Sequence, residues 1–88
     1  MIEPRQQIKD FTISMEYVLA QNDYRGGWEG EDYSCLMNRV AANLKEMRRL
    51  FWKGARTPDR QGTLMKKATD IANFAMMIYD NAGNARNL

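Results

Sequence analysis

Apolar residues recur along this chain at steps of three and four, in three separate runs. Ile8, Phe11, Met15, Val18 and Leu19 form the first. Leu36, Val40, Leu44, Met47, Leu50 and Phe51 form the second. Leu64, Ala68, Ile71, Ala72, Ala75, Ile78 and Tyr79 form the third, with Phe74 and Met77 widening it. Such spacing puts the apolar residues on one face of an α-helix, whereas a strand needs alternation, and little alternation is present. The pattern predicts helices over about 4–22, 33–53 and 59–81.

The punctuation between the runs agrees. Gly26-Gly27 separates the first from the second, and the stretch from Gly54 to Gly62 separates the second from the third. Pro4 suits a first helical turn. Asp32 or Ser34 suits an N-cap, and Arg48, Arg49 and Lys53 suit the negative end of the helix dipole. Thr57-Pro58-Asp59 reads as a helix start and Gly83 as a helix end. The expectation is an all-α domain of three helices spanning 1–88. The second and third helices should form a long antiparallel hairpin across a short loop. The apolar face of the third is wider than one neighbour can cover, which predicts a homo-oligomeric helical bundle, at least a dimer.

Composition narrows the class. With 88 residues and 44% hydrophobic content the chain is one small domain, not a disordered segment. A lone cysteine, Cys35, forbids an internal disulfide and reads as a buried thiol in a reducing compartment. No apolar run approaches the roughly 20 residues of a membrane span, and no signal peptide is recognisable. A cytoplasmic location is expected. The net charge of +2 is weak, and no reading motif accompanies Arg39, Arg48, Arg49 and Lys53, which argues against nucleic acid. Histidine is absent, so any metal chemistry must use carboxylates and carbonyls.

Two stretches resemble one known family. Residues 15–28, ending Asp23-Tyr24-Arg25-Gly26-Gly27-Trp28, are similar to the Lys-Gly-Gly-Trp segment of phage-borne MazG-like proteins. Ala68-Thr69-Asp70-Ile71-Ala72-Asn73-Phe74-Ala75-Met76-Met77-Ile78 is similar to their Ala-Asp-Val-Ala-Asn-Phe-Ala-Met-Met-Ile helix. With the helix between them, the resemblance covers nearly the whole chain. It implies a nucleotide pyrophosphohydrolase fold whose Glu-x-x-Glu and Glu-x-x-Asp pairs hold magnesium. Residues three apart share a helix face, so two facing pairs surround one gap, and hard oxygen ligands select that cation.

Here the first pair falls on Asn43-x-x-Glu46 and the second on Lys67-x-x-Asp70. The four positions then carry one net negative charge where the family carries four. Only Glu46 and Asp70 remain as metal ligands, should a metal be retained, and Lys67 repels a cation. The expectation is therefore no catalytic residues and no cofactor, with magnesium only if activity survives. Nucleotide binding is expected from Arg25, Trp28, Asn43, Glu46, Lys67, Asp70 and Asn73. Lys67 and Arg25 would meet phosphates and Trp28 a base. A phage protein of this kind would sequester a nucleotide or nucleotide second messenger of host defence. Two other readings stay open: an active hydrolase drawing carboxylates from Glu16, Glu29, Glu31 or Asp32, and a protein-interaction module. Local packing supplies plainer roles as well. Lys67 and Glu46 would form an interhelical salt bridge, Asn43 would fix helix register, and Trp28 would simply fill space.

Overall fold

The computed structural model describes residues 2–52 and 59–88, which contain three α-helices and no strand. These are α1 (Gln6–Gln21), α2 (Tyr33–Arg49) and α3 (Arg60–Gly83). A short 3-10 turn, Asp23–Arg25, follows α1. Gly54, Thr57, Pro58 and the rest of 53–58 lie outside the described residues.

The helix ends differ from expectation in small, explicable ways. Pro4 precedes α1 instead of opening it, with Arg5 in extended backbone at the cap. Asp32 occupies the cap of α2, but its side chain makes no capping bond. Asp59 does cap α3, its carboxylate accepting from the Gly62 amide at 2.9 Å. Such a cap stabilises a helix by roughly 1 kcal/mol. Past Arg49 the chain tightens, with the Leu50, Phe51 and Trp52 amides each bonded to the carbonyl three residues back. That turn ends α2 four residues before the expected position.

α2 and α3 run antiparallel. The Tyr33 hydroxyl, at the start of α2, donates to the Arg86 carbonyl just past the end of α3 (2.7 Å). Further along, the Arg39 guanidinium lies over the Phe74 ring, 5.7 Å from its centroid. α1 packs on α3 but, among the described residues, makes no close backbone approach to α2. The Asn73 amide joins α3 to α1 by donating to the Met15 carbonyl at 3.2 Å. So α3 is the central element, with α1 and α2 on either side of it and an open furrow between them.

The core is small. Among the described residues Leu36 and Leu50 are the buried hydrophobic side chains. Burying one such side chain stabilises by roughly 1.5–3 kcal/mol. Leu44, Phe51 and Tyr79, expected on core-facing stripes, are exposed. Among the described residues α2 has a single helical neighbour, so only the Leu36–Leu50 line of its stripe is covered. Cys35 is half-buried.

Candidate functional site

The furrow deepens at the end of α1 into a cleft of about 440 Å³. That volume falls within the range of small-molecule sites. Its floor is one face of α3: Lys66, Asp70, Asn73, Phe74 and Met77, spaced as helix geometry requires. Val18, Leu19 and Asn22 of α1 form one wall, and Arg39 and Asn43 of α2 form the other. The loop from Asp23 to Trp28 closes the end, with Glu31 beside it.

That loop needs its first glycine. Gly26 sits at φ 85°, a left-handed conformation that a side chain disfavours. The turn brings Trp28 back onto the end of α3, where its position is fixed twice. Its indole N–H donates to the Asp80 carboxylate at 3.0 Å, and its carbonyl accepts from the Asn81 amide at 3.1 Å. The chain just beyond α3 completes this latch. The Arg86 guanidinium reaches Asp80 at 2.8 Å and the Asn81 oxygen at 3.2 Å. The Asn87 amide donates to the carbonyls of Glu29 (2.8 Å) and Glu31 (3.2 Å). Trp28 is thus both packed and a wall of the cleft.

The indole bond above all, and then Arg86, hold the Asp80 carboxyl below its ordinary value. A carboxylate with a depressed folded value adds stability above the ordinary range near pH 4, and loses it as pH falls through the folded value. A Trp52→Phe chain, whose emission then reports Trp28, should show constant fluorescence from pH 8 to 5. Its spectrum should change only at more acid pH. A transition near neutrality would rule out Asp80 as the anchor.

The cleft brings together Arg25, Trp28, Asn43, Asp70 and Asn73 of the sequence-derived set. Glu46 and Lys67 are not among its lining residues. Glu46 faces outward and pairs with Arg49 at 3.6 Å, rather than with Lys67. The lysine in the cleft is Lys66. Its ammonium holds both Asp70 oxygens, at 2.8 and 2.9 Å. Asn43 donates to the carbonyl of Arg39, one turn back in its own helix (2.9 Å), so it does not set interhelical register.

Arg39 and Lys66 are the site residues that sequence reasoning passed over. The signal was present in the spacing: Arg39 lies four residues before Asn43, and Lys66 four before Asp70.

Among the described residues three acids and three bases line the cleft: Asp23, Glu31 and Asp70 against Arg25, Arg39 and Lys66. Lys66 and Asp70 neutralise each other. The ion pairs among the described residues are Lys9–Glu3, Arg49–Glu46, Lys66–Asp70 and Arg86–Asp80, so neither Arg25 nor Arg39 takes part in one. Both guanidiniums instead lie near aromatic rings, Arg25 by Tyr24 and Arg39 by Phe74. At the floor, Asn73 is buried and its side-chain oxygen has no hydrogen-bond partner. A buried acceptor left unpaired costs roughly 1–3 kcal/mol.

A magnesium ion fits this donor set poorly. Among the described residues no three carboxylate, thiol or imidazole side chains come together. Asp70 is already held by an ammonium, and Glu46 is turned away. Among the described residues no helix is long and apolar enough to cross a membrane. Compared with known proteins, the chain matches no family model, no curated protein and no solved structure.

Proposed function

We propose that this chain is a MazG-like nucleotide-binding protein that holds a phosphorylated nucleotide in the α1–α2–α3 cleft without cleaving it. The observation that carries this reading is the meeting of two guanidiniums outside any ion pair, an ammonium and a tryptophan wall in one cleft of suitable volume. Arg39, Arg25 and Lys66 supply charge for phosphate, and Trp28 supplies an indole face for a base. Lys66 takes the phosphate-facing role that the sequence suggested for Lys67. An Asp70 already held by the Lys66 ammonium and a Glu46 turned to Arg49 support holding over hydrolysis. The same proposal includes assembly as a homo-oligomer, a phage origin, a cytoplasmic setting and sequestration of a nucleotide signal.

A second reading, an active pyrophosphohydrolase, draws on one observation: Glu31 and Asp23 line the same cleft as Asp70. Calorimetry with a panel of linear and cyclic nucleotides separates the two. Binding should persist in excess chelator, and magnesium should bring no pyrophosphate release from deoxynucleoside triphosphates. Metal-dependent turnover would favour the hydrolase. No binding anywhere on the panel would defeat both and leave the interaction-module reading.

A further inference from the structure

The net charge of +2, which by itself speaks against nucleic acid, is an average over two unlike parts. Six of the thirteen cations and two of the eleven acids fall between Lys45 and Arg60, so that stretch carries +4. The rest of the chain, with seven cations and nine acids, carries −2. In the fold, the described part of this stretch forms one end of the α2–α3 hairpin, opposite the Trp28 latch.

Lys45, Arg48, Arg49 and Trp52 recur at steps of three and four, so they share one face at the end of α2. All four are exposed. The turn at Leu50 to Trp52 bonds each amide to the carbonyl three residues back, and in such a turn side chains three apart eclipse. Phe51 therefore follows Arg48, and Trp52 follows Arg49, as two columns of cation and ring. From the start of α3 the Arg60 guanidinium lies over the Phe51 ring, 4.0 Å from its centroid. The two acids here are occupied locally. Asp59 caps α3, and Glu46 makes a weak, exposed pair with Arg49.

Phe51 is 60% and Trp52 62% exposed, whereas Leu50 beside them is buried. Rings held in water among cations fit a partner that offers negative charge and flat π-faces together. Nucleic acid offers both. In a duplex its base faces are stacked away, so the fit is to a single strand. An anionic bilayer supplies the charge without the flat faces. It would also have to take up Phe51 with a guanidinium on the ring, carrying charge toward hydrocarbon at a cost.

We infer that the Arg48–Trp52 turn, with Lys45 and Arg60, is a docking surface for single-stranded nucleic acid. Lys45, Arg48 and Arg49 meet phosphates, and a base stacks on Trp52. None of these residues lines the cleft, and the inference does not rest on what the cleft holds. Fluorescence anisotropy with short labelled oligouridylate and oligothymidylate tests it on the full chain. Single strands should bind more tightly than a duplex of equal length, and affinity should fall linearly with salt on logarithmic axes. Arg48→Gln with Arg49→Gln should reduce that slope by about 1.4, at about 0.7 for each phosphate contact to a single strand. Trp52→Ala should weaken binding about fivefold or more with the slope unchanged. Circular dichroism checks that both variants, changed only at exposed positions, keep their helices. Arg39→Gln with Lys66→Gln removes equal charge from the cleft and should leave the oligonucleotide slope as it is. Four results would each overturn the inference: no oligonucleotide binding, a duplex held as tightly as a single strand, Trp52→Ala binding as wild type, or the cleft variant lowering the slope as much as the arginine pair. Capture of phosphatidylglycerol vesicles in place of oligonucleotides would overturn it in favour of a membrane surface.

Discussion

Replacing Asn81 by leucine is expected to destabilise the fold by about 2–5 kcal/mol, although leucine has similar volume and the helix gains propensity. Asn81 is 0% exposed, and every polar group of its side chain is engaged. Its amide donates to the Trp28 carbonyl, and its oxygen accepts from Arg86. Leucine would take one of two donors from that carbonyl, the Glu31 amide being the other, and one of its two anchors from Arg86. A lost bond costs roughly 0.5–1.5 kcal/mol between neutral groups and about 1.5–3 kcal/mol at a charged donor. In a domain of this size the melting temperature should fall by about 8 °C at least. Urea unfolding followed by circular dichroism measures the loss. Asn84→Ala, which removes exposed bonds only to its own helix, is the control and should change little. If the two variants melt alike, the latch contributes nothing beyond helix propensity. The same variant should loosen the Gly26–Trp28 loop, because Trp28 then reaches α3 only through its indole bond to Asp80.

This latch was the part least visible in the sequence. Asn81 and Arg86 stand 53 and 58 positions from Trp28, and no periodicity links them. In a run such as Met77-Ile78-Tyr79-Asp80-Asn81, polar residues at the end of an apolar stripe read as a solvated helix end. Only the return of the Gly26 turn makes them interior. The helices themselves were readable, because period and glycine punctuation are local signals. Which apolar residues are buried was not. Leu44 shares the period of Leu36 and Leu50, but burial depends on how many neighbours a helix has, and among the described residues α2 has one. On α3 the expected positions and the cleft's lining share Asp70 and Asn73 and differ at the lysine, Lys67 in place of Lys66. Lys67 and Lys66 differ by about 100° around the helix. Aligning charged positions to a family signature chose Lys67, whereas the four-residue step to Asp70 selects Lys66. Glu46 failed to join the cleft for a similar local reason: Arg49, three residues on, offers it a partner on the outer face.

Removing two cations from the cleft should abolish nucleotide binding while leaving the fold intact. Asp23, Glu31 and Asp70 balance Arg25, Arg39 and Lys66, so the described lining of the cleft is formally neutral. Arg39→Gln with Lys66→Gln takes it to two net negative charges. Each charge-assisted contact to a phosphate is worth roughly 1.5–3 kcal/mol, so losing both should weaken affinity about 100-fold or more. Stability should change less than affinity: Lys66 is 55% exposed, while its partner Asp70 is only 17% exposed, so the melting curves register what the carboxylate loses with its ammonium. The reverse change provides the sign test. Asp23→Asn with Glu31→Gln leaves the cleft with two net positive charges and should tighten binding of a triphosphate more than of a nucleoside. Raising salt should weaken the wild type and flatten the difference between the two variants, since exposed charges are screened within about 8–10 Å at physiological ionic strength. Calorimetry on the three proteins, with melting curves alongside, decides the matter. Equal affinities across all three would mean that phosphate is not recognised in this cleft. Opposite shifts from the two double variants would tie recognition to its charge and not to a general loosening of the helices.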